Sequence, residues 1–210
     1  MDRPRIVLAS TSPRRIDLLR QAGLECEVVS PDADETPRKN EKPLDLVTRL
    51  ALAKARSAAR SLSRKKGRGS GALIIAADTI VVEPRAKRIL GKPRSRAEAI
   101  RMLASIQGAT HLVLTGYCIL ELGPRGATHS LVRAVRSRVT MRPLSAAQIR
   151  AYVATGEPMD KAGSYAAQGI GMALIDRIEG SYANVVGLPI CQLLRDLEDE
   201  FEIPVFEWAK

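Results

Sequence analysis

The feature that most constrains this chain is the regular exchange of two hydrophobic periods along its length. Short runs with the two-residue period of a strand alternate with longer segments that carry the 3.6-residue period of a helix. Residues 5–9 form a short apolar run of the buried-strand kind. Ser12 and Pro13 then open a helix, with Leu18, Leu19 and Ala22 on its apolar face and Gly23 as its stop. Residues 25–30 alternate as a second strand, and a polar segment follows to Pro43. A long helix is expected over 44–62, with Val47, Leu50, Ala51, Ala55 and Ala58 as its inner stripe. Residues 73–77 and 80–82 read as strands around Asp78 and Thr79, with a turn at 85–88. Capping boxes mark two further helices, 95–106 (Ser95 with Glu98) and 145–155 (Ser145 with Gln148), closed by Gly108 and Gly156. Between them lie two long strand patterns, 111–122 and 130–140. A Gly-rich segment, 163–187, encloses a strand at 173–178, and a last helix covers 189–201. Alternating elements of this kind make an α/β fold, and the consecutive strands of 111–140 require antiparallel hairpins, so the central sheet is mixed. With no repeat or linker, residues 1–210 read as one domain with one or two lobes.

Composition narrows the class of protein. Aromatic residues are 3% of the chain, so the core must be built from Ala, Val, Ile and Leu. No apolar run reaches membrane-spanning length, and residues 6–9 turn polar too soon for a signal-peptide core. Cys26, Cys118 and Cys191 are far apart, with no C-x-x-C, and read as reduced, buried thiols. The expectation is a cytoplasmic protein with no membrane partner. The net charge of +10 favours polyanions such as nucleic acid, an acidic membrane or a free nucleotide. Part of that excess sits in the Gly-rich basic stretch 64–71, which has no aromatic neighbours on which bases could stack. It reads as a solvated loop, and no specific nucleic-acid partner is expected.

The chemistry concentrates at a few positions. In Leu8-Ala9-Ser10-Thr11-Ser12-Pro13-Arg14-Arg15, a buried strand ends, hydroxyl residues turn the chain, and a proline-started helix begins. Helix-start amides, hydroxyls and two guanidinium groups together suit a phosphate, although a plain capped helix with exposed arginines would show the same residues. No Walker loop occurs. Asp78 interrupts the apolar run 74–82, where a buried carboxylate must be paired, hydrogen-bonded or bound to metal. That makes it a candidate general base or hard-cation ligand, or else an Asp in a strand-to-strand turn. Lys54 falls on the apolar stripe of its helix, either snorkelling outward or reaching an anion. Lys92 follows Gly91, and Asp34 and Glu35 occupy the loop after the second strand, where carboxylates can coordinate Mg²⁺ with substrate phosphates or lie simply solvated.

Taken together these segments resemble the Maf (septum-formation) family of nucleoside triphosphate pyrophosphatases. The likeness covers nearly the whole chain: LASTSPRR at 8–15, Asp34-Glu35, Leu52-Ala53-Lys54-Ala55, Ala76-Ala77-Asp78-Thr79 and Gly91-Lys92-Pro93. It continues through Gly116 in a TG turn, EPMDKAGSYAAQG at 157–169 and NVVGLP at 184–189. The resemblance implies a mixed, partly antiparallel sheet flanked by helices in two lobes, similar to inosine triphosphate pyrophosphatases, with the nucleotide in a cleft between them. It also implies Mg²⁺ or Mn²⁺, often a homodimer, and cleavage between the α and β phosphates. In the dTTP/UTP branch the pattern is SPRR, ADT and Y-x-x-Q-G, which here places substrate specificity on Arg14, Thr79 and Gln168. A branch acting on 7-methyl-GTP differs at all three. The family's general base falls on Asp78, and its phosphate and metal residues on Ser10, Arg15, Glu35, Lys54 and Lys92, with Lys161 completing the cationic wall. An insertion at 65–70 departs from the family pattern in a variable loop. The alternatives are a pyrophosphatase for modified purine nucleotides and a non-enzymatic, nucleic-acid-binding regulator of division.

Overall fold

Strand β1 (Arg5–Leu8) is only four residues long, yet it is held on both sides by parallel partners. In this computed structural model, which describes residues 5–64, 71–124, 126–204 and 206, Val7 and Leu8 register with Glu27 and Val28 of β2 (Glu27–Val28). On its other side Arg5 to Leu8 register with Ala72 to Ile75 of β3 (Ala72–Val82). The basic stretch 65–70 lies outside the described residues. Helix α1 (Pro13–Gln21) follows β1, with Pro13 in its first turn and Gly23 at φ +78° just past its end. Ser12 precedes it, but its hydroxyl does not cap the helix. The strand expected over 25–30 shrinks to β2, because both of its residues are exposed at the sheet edge with β1 as the one partner.

Helix α2 (Pro43–Arg64) is where the sequence pattern and the packing agree most closely. The inner stripe of Val47, Leu50, Ala51, Ala55 and Ala58 is buried throughout. Its alanines pack with Val7 of β1 and with Ala72, Ile74 and Ala76 of β3. Alanine side chains let helix and sheet approach closely. The limit is reached at Gly116, where an added Cβ would lie 2.3 Å from the Val47 carbonyl oxygen and 2.8 Å from Thr48 N. Gly116 is therefore not in a turn, as its TG dipeptide led us to expect, but inside a strand that a helix backbone crosses.

The two short strands expected around Asp78 are one continuous strand, β3, with Asp78 buried inside it. Strand β4 (Ile89–Leu90) turns back antiparallel onto Val81 and Val82. After α3 (Arg96–Ile106), the long strands β5 (Thr110–Gly123) and β6 (Gly126–Met141) enter the sheet. Helix α4 (Ala146–Ala154) comes next, and β7 (Ile175–Glu179) pairs antiparallel with β6. Strand β7 starts later than expected because residues Gly169–Leu174 wind into a 3-10 turn. Two more such turns, Glu157–Asp160 and Ala162–Ser164, precede it, and α5 (Tyr182–Val186) and α6 (Ile190–Phe201) follow β7. The strand order is β2-β1-β3-β5-β6-β7, with β4 off this path on β3, a mixed sheet as expected.

The chain divides into two compact units. The first comprises Met1–Asp78, Thr115–Ala134 and Gly187–Lys210, and its core is the α2 cluster. Helix α6 adds Leu193 and Leu197, and is fixed by a hydrogen bond from the Tyr117 hydroxyl to Asp196. The second comprises Thr79–Leu114 and Val135–Val186, with a core of Leu103, Ile106, Val113, Val139, Ile149 and Val153. Its helix starts are capped as their sequences indicate, with one variation. The box at Ser145 and Gln148 is reciprocal, whereas Glu98 returns its bond to Arg94 N, 2.7 Å away, one residue before Ser95. Among the described residues no helix is long and apolar enough to cross a membrane. All three cysteines are free thiols; Cys118 is buried as expected, but Cys26 is half-buried and Cys191 exposed.

Candidate active site

The two-residue period of β3 decides where its carboxylate points. Ala72, Ile74 and Ala76 face the α2 cluster, so the next residue on that face is Asp78. On α2, Lys54 lies three residues after Ala51 and seven after Val47, on the stripe that meets β3. The two buried charges find each other: Lys54 Nζ donates to Asp78 Oδ1 at 2.7 Å, with the residues 6% and 7% exposed. The same ammonium lies 2.8 Å from Glu35 Oε1, on a side chain that is 59% exposed. Lys54 thus does not snorkel. Burying either Lys54 or Asp78 alone would be strongly unfavourable, and the pairing is what makes both tolerable.

Ser10 and Arg15 reach the same neighbourhood from β1. Ala9 N continues the ladder to Ile75 O at 2.8 Å, one residue beyond the strand, and leaves Ser10 buried at the turn. Ser10 Oγ accepts from Ser12 N at 3.2 Å and from Arg15 Nη1 at 3.3 Å. Arg15 Nε donates at 2.8 Å to the carbonyl of Gly187, the residue of the NVVGLP stretch at which the chain re-enters this unit. Burial pushes the Arg15 guanidinium below its ordinary value; the Asp78 charge opposes this, Arg14 adds to it, and Glu35 opposes it. Arg15 remains a cation at neutral pH. Ser10 and Arg15 thus form a bonded pair and Glu35, Lys54 and Asp78 a bonded triad, and Arg15 feels the charges of both Asp78 and Glu35, near the C-terminal ends of the parallel strands β1 and β2, the usual ligand end of such sheets. Arg14 is half-buried beside them on the first turn of α1.

Glu35 owes its position to residues that sequence reasoning passed over. Arg49 on α2 donates from Nη2 to the Thr36 carbonyl at 3.1 Å and to Glu41 Oε2 at 2.8 Å. Ser57, also on α2, accepts from Asp32 N at 3.0 Å. The Arg49 hydrogen bond, followed by that from Arg38 N, brings the Glu41 carboxyl down to about 2. Asp34, the other half of the expected acidic pair, is exposed and accepts from Thr36 N at 2.9 Å, so it shapes the loop. Ser57 could have been found as a polar residue in an alanine stripe. Arg49 offered no such signal.

Thr79, Lys92, Lys161 and Gln168 belong to the second unit. Thr79 is half-buried and directly follows Asp78 in β3. Lys92 is exposed just after β4, in a loop tied to the Lys161 segment by Gly163 N to Gly91 O at 3.1 Å. Lys161 Nζ donates to Asp160 Oδ1 and to the Glu157 carbonyl, both at 2.6 Å. Gln168 is half-buried, and its side chain makes no hydrogen bond to the described residues. Among the described residues no group of three His, Cys, Asp or Glu side chains is placed to hold a metal. The two carboxylates that share Lys54 nevertheless fit Mg²⁺ or Mn²⁺, since a hard ion of that kind takes one or two carboxylates and completes its shell with phosphate oxygens and water.

Known proteins place this arrangement. The profile of the Maf-like protein family matches residues 5–200. A dTTP/UTP pyrophosphatase of Geobacter sulfurreducens is 47% identical over 197 residues, covering 94% of this chain and 97% of that one. A dTTP/UTP pyrophosphatase of Acetivibrio thermocellus is 42% identical over 203 residues, covering 97% and 98%. The Ham1 protein of Staphylococcus aureus shares the fold at a TM-score of 0.52, with 16% identity over 93% of this chain and 99% of that one. A match over nearly the whole length, to the family profile and to relatives alike, establishes that the chain belongs to the Maf-like protein family.

Proposed function

We propose that the chain is a nucleoside triphosphate pyrophosphatase acting on dTTP and UTP, releasing the monophosphate and pyrophosphate. The observation that carries this reading is the buried Lys54 shared by Asp78 and Glu35, beside Ser10 and Arg15. Cations and carboxylates in one cluster suit a reaction that must both hold a polyanion and activate water.

Ser10, Arg14, Arg15, Lys54, Lys92 and Lys161 are assigned to the triphosphate. Lys54 directs two of its N–H groups at carboxylates and has a third to donate to a phosphate oxygen. Glu35 and Asp78 would hold Mg²⁺ or Mn²⁺, which when bound offsets negative charge on the phosphate oxygens. With its Oδ1 fixed by Lys54, Asp78 takes a proton from water at its other oxygen. The water oxygen bonds to the α-phosphorus, the bridging P–O bond to the β-phosphate breaks, and pyrophosphate leaves with the electron pair. Arg14, Thr79 and Gln168 select the base, since an amide offers one donor and one acceptor to the imide edge of uracil or thymine. Three free thiols accord with a cytoplasmic enzyme, and the assembly proposed is a homodimer, which sedimentation would read.

A panel of dTTP, UTP, CTP and purine triphosphates, 7-methyl-GTP included, tests the reading by pyrophosphate release. The expected result is turnover of UTP and dTTP above the rest. Preference for a modified purine overturns the pyrimidine assignment, and no pyrophosphate from any substrate overturns the enzymatic one. In the same assay Asp78→Asn is expected to lower kcat by roughly 10²- to 10⁴-fold while nucleotide binding persists. An unchanged kcat would remove Asp78 from the mechanism.

A further inference from the structure

The segment carrying Gln168 is gripped on both sides by groups that no part of the mechanism above uses. Glu157 Oε1 accepts from Ile170 N at 2.9 Å, and its Oε2 accepts from Gly171 N at 2.8 Å. That second oxygen also accepts from the Tyr152 hydroxyl at 2.7 Å. The hydroxyl in turn accepts from Ala166 N at 3.1 Å. One carboxylate and one phenol therefore hold the backbone before and after Gln168 in a single hydrogen-bonded chain. Burial, then the Glu157 contact, raises the Tyr152 phenol above its ordinary value and keeps the donating proton in place.

The glycines show how tight this grip is. Gly169 has φ +68°, and a Cβ there would lie 2.2 Å from Glu157 Oε1. A Cβ on Gly171 would lie 2.4 Å from the Ala166 carbonyl and 2.7 Å from the Tyr152 hydroxyl. Gln168 has no side-chain hydrogen bond to the described residues, so its amide is placed through its backbone. A two-bond match between an amide and a base edge requires placement to within about half an ångström, which a loop without such support does not provide.

We propose that Glu157 and Tyr152 are positioning residues for base selection, acting through Gln168. The inference rests on the reading that Gln168 contacts the pyrimidine. Tyr152→Phe removes only the hydroxyl, and Glu157→Gln keeps one accepting oxygen but replaces the other with an NH2 group that cannot accept from a backbone N–H. Each is expected to lower the ratio of kcat/KM for UTP over GTP by about tenfold or more, chiefly through a higher KM for UTP. Thermal melts of every variant set an assay temperature at which it is folded; Tyr152→Phe is the milder change and keeps the test open if Glu157→Gln does not fold. Gln168→Ala is measured alongside, alone and combined with Tyr152→Phe. If Tyr152 acts through Gln168, the double variant is no less selective than Gln168→Ala alone. Selectivity lost in Gln168→Ala but retained in Tyr152→Phe and Glu157→Gln overturns the positioning role and leaves the base-reading assignment standing. An additive loss in the double variant does the same. Selectivity retained in Gln168→Ala overturns that assignment, and the positioning role with it.

Discussion

Lys54 is the residue on which the first unit's electrostatics turn, because one ammonium serves a buried and an exposed carboxylate at once. Its two partners are not equivalent. Glu35 can return to water, whereas Asp78 lies inside β3 and cannot. Lys54→Ala should therefore destabilise the protein by about 3–5 kcal/mol, the cost of leaving a buried charge without its counter-ion. Asp78→Asn should cost much less, since the amide oxygen still accepts from Lys54 and Glu35 still balances the charge. Urea unfolding of both variants checks the ordering, and equal loss in the two would show that Asp78 does not depend on Lys54. Gly116→Ala belongs at the same scale. Its Cβ would meet helix backbone and not a flexible side chain, so a loss of roughly 3 kcal/mol or more is expected in the same experiment. Lys54 and Asp78 were legible in the sequence because a charge in an apolar period is conspicuous. Glu157 was not, because a carboxylate in a polar, Gly-rich stretch breaks no pattern, and its role appears only when the chain folds back on it.

Among the elements, the loop between β2 and α2 shows how an exposed carboxylate is kept in place. Arg49 bonds the Thr36 carbonyl next to Glu35 and the Glu41 carboxylate, while Ser57 holds Asp32 N. Arg49→Ala should leave the core of α2 intact and free the loop. The expected outcome is a several-fold rise in the Mg²⁺ or Mn²⁺ concentration needed for half-maximal activity. Wild-type metal dependence in that variant would separate Arg49 from Glu35. The pH behaviour of this staple follows from its sign. Glu41 titrates near 2 in the folded protein against 4.5 ordinarily, so its contribution is fully present above the ordinary value and is lost as pH falls through about 2. The metal effect of Arg49→Ala should accordingly be the same at pH 6 and pH 8. Helices were the elements best read from sequence, since the caps at Ser95 and Ser145 and the stripe of α2 are local. Strand ends were not: β2 and β7 are set by partners distant in sequence, and alternation alone cannot say how many residues find one.

For the molecule as a whole, the mixed sheet followed from the order of periods, but the division into two units did not. Strands β3, β5 and β6 each give residues to both units, and an unbroken strand carries no mark where its packing partners change. Global stability should nonetheless depend on one buried group of the second unit. His111 is 1% exposed, its Nε2 is bonded to the Tyr165 hydroxyl at 2.8 Å, and its Nδ1 has no hydrogen-bond partner among the described residues. Burial brings its pKa down to about 4 from 6.5. Between those values the unfolded chain binds the proton and the folded chain does not, so acid favours unfolding. Stability should fall by up to about 3 kcal/mol as pH drops from 6.5 to about 4, with no further loss from this group below that. His111→Gln keeps a group able to bond Tyr165 but cannot titrate. It should be less stable at pH 8 from imperfect packing, and should lose this part of the slope between pH 6.5 and 4. Unfolding curves recorded across that range distinguish the two chains, and parallel pH dependence in wild type and variant would mean that the acid sensitivity resides in other groups.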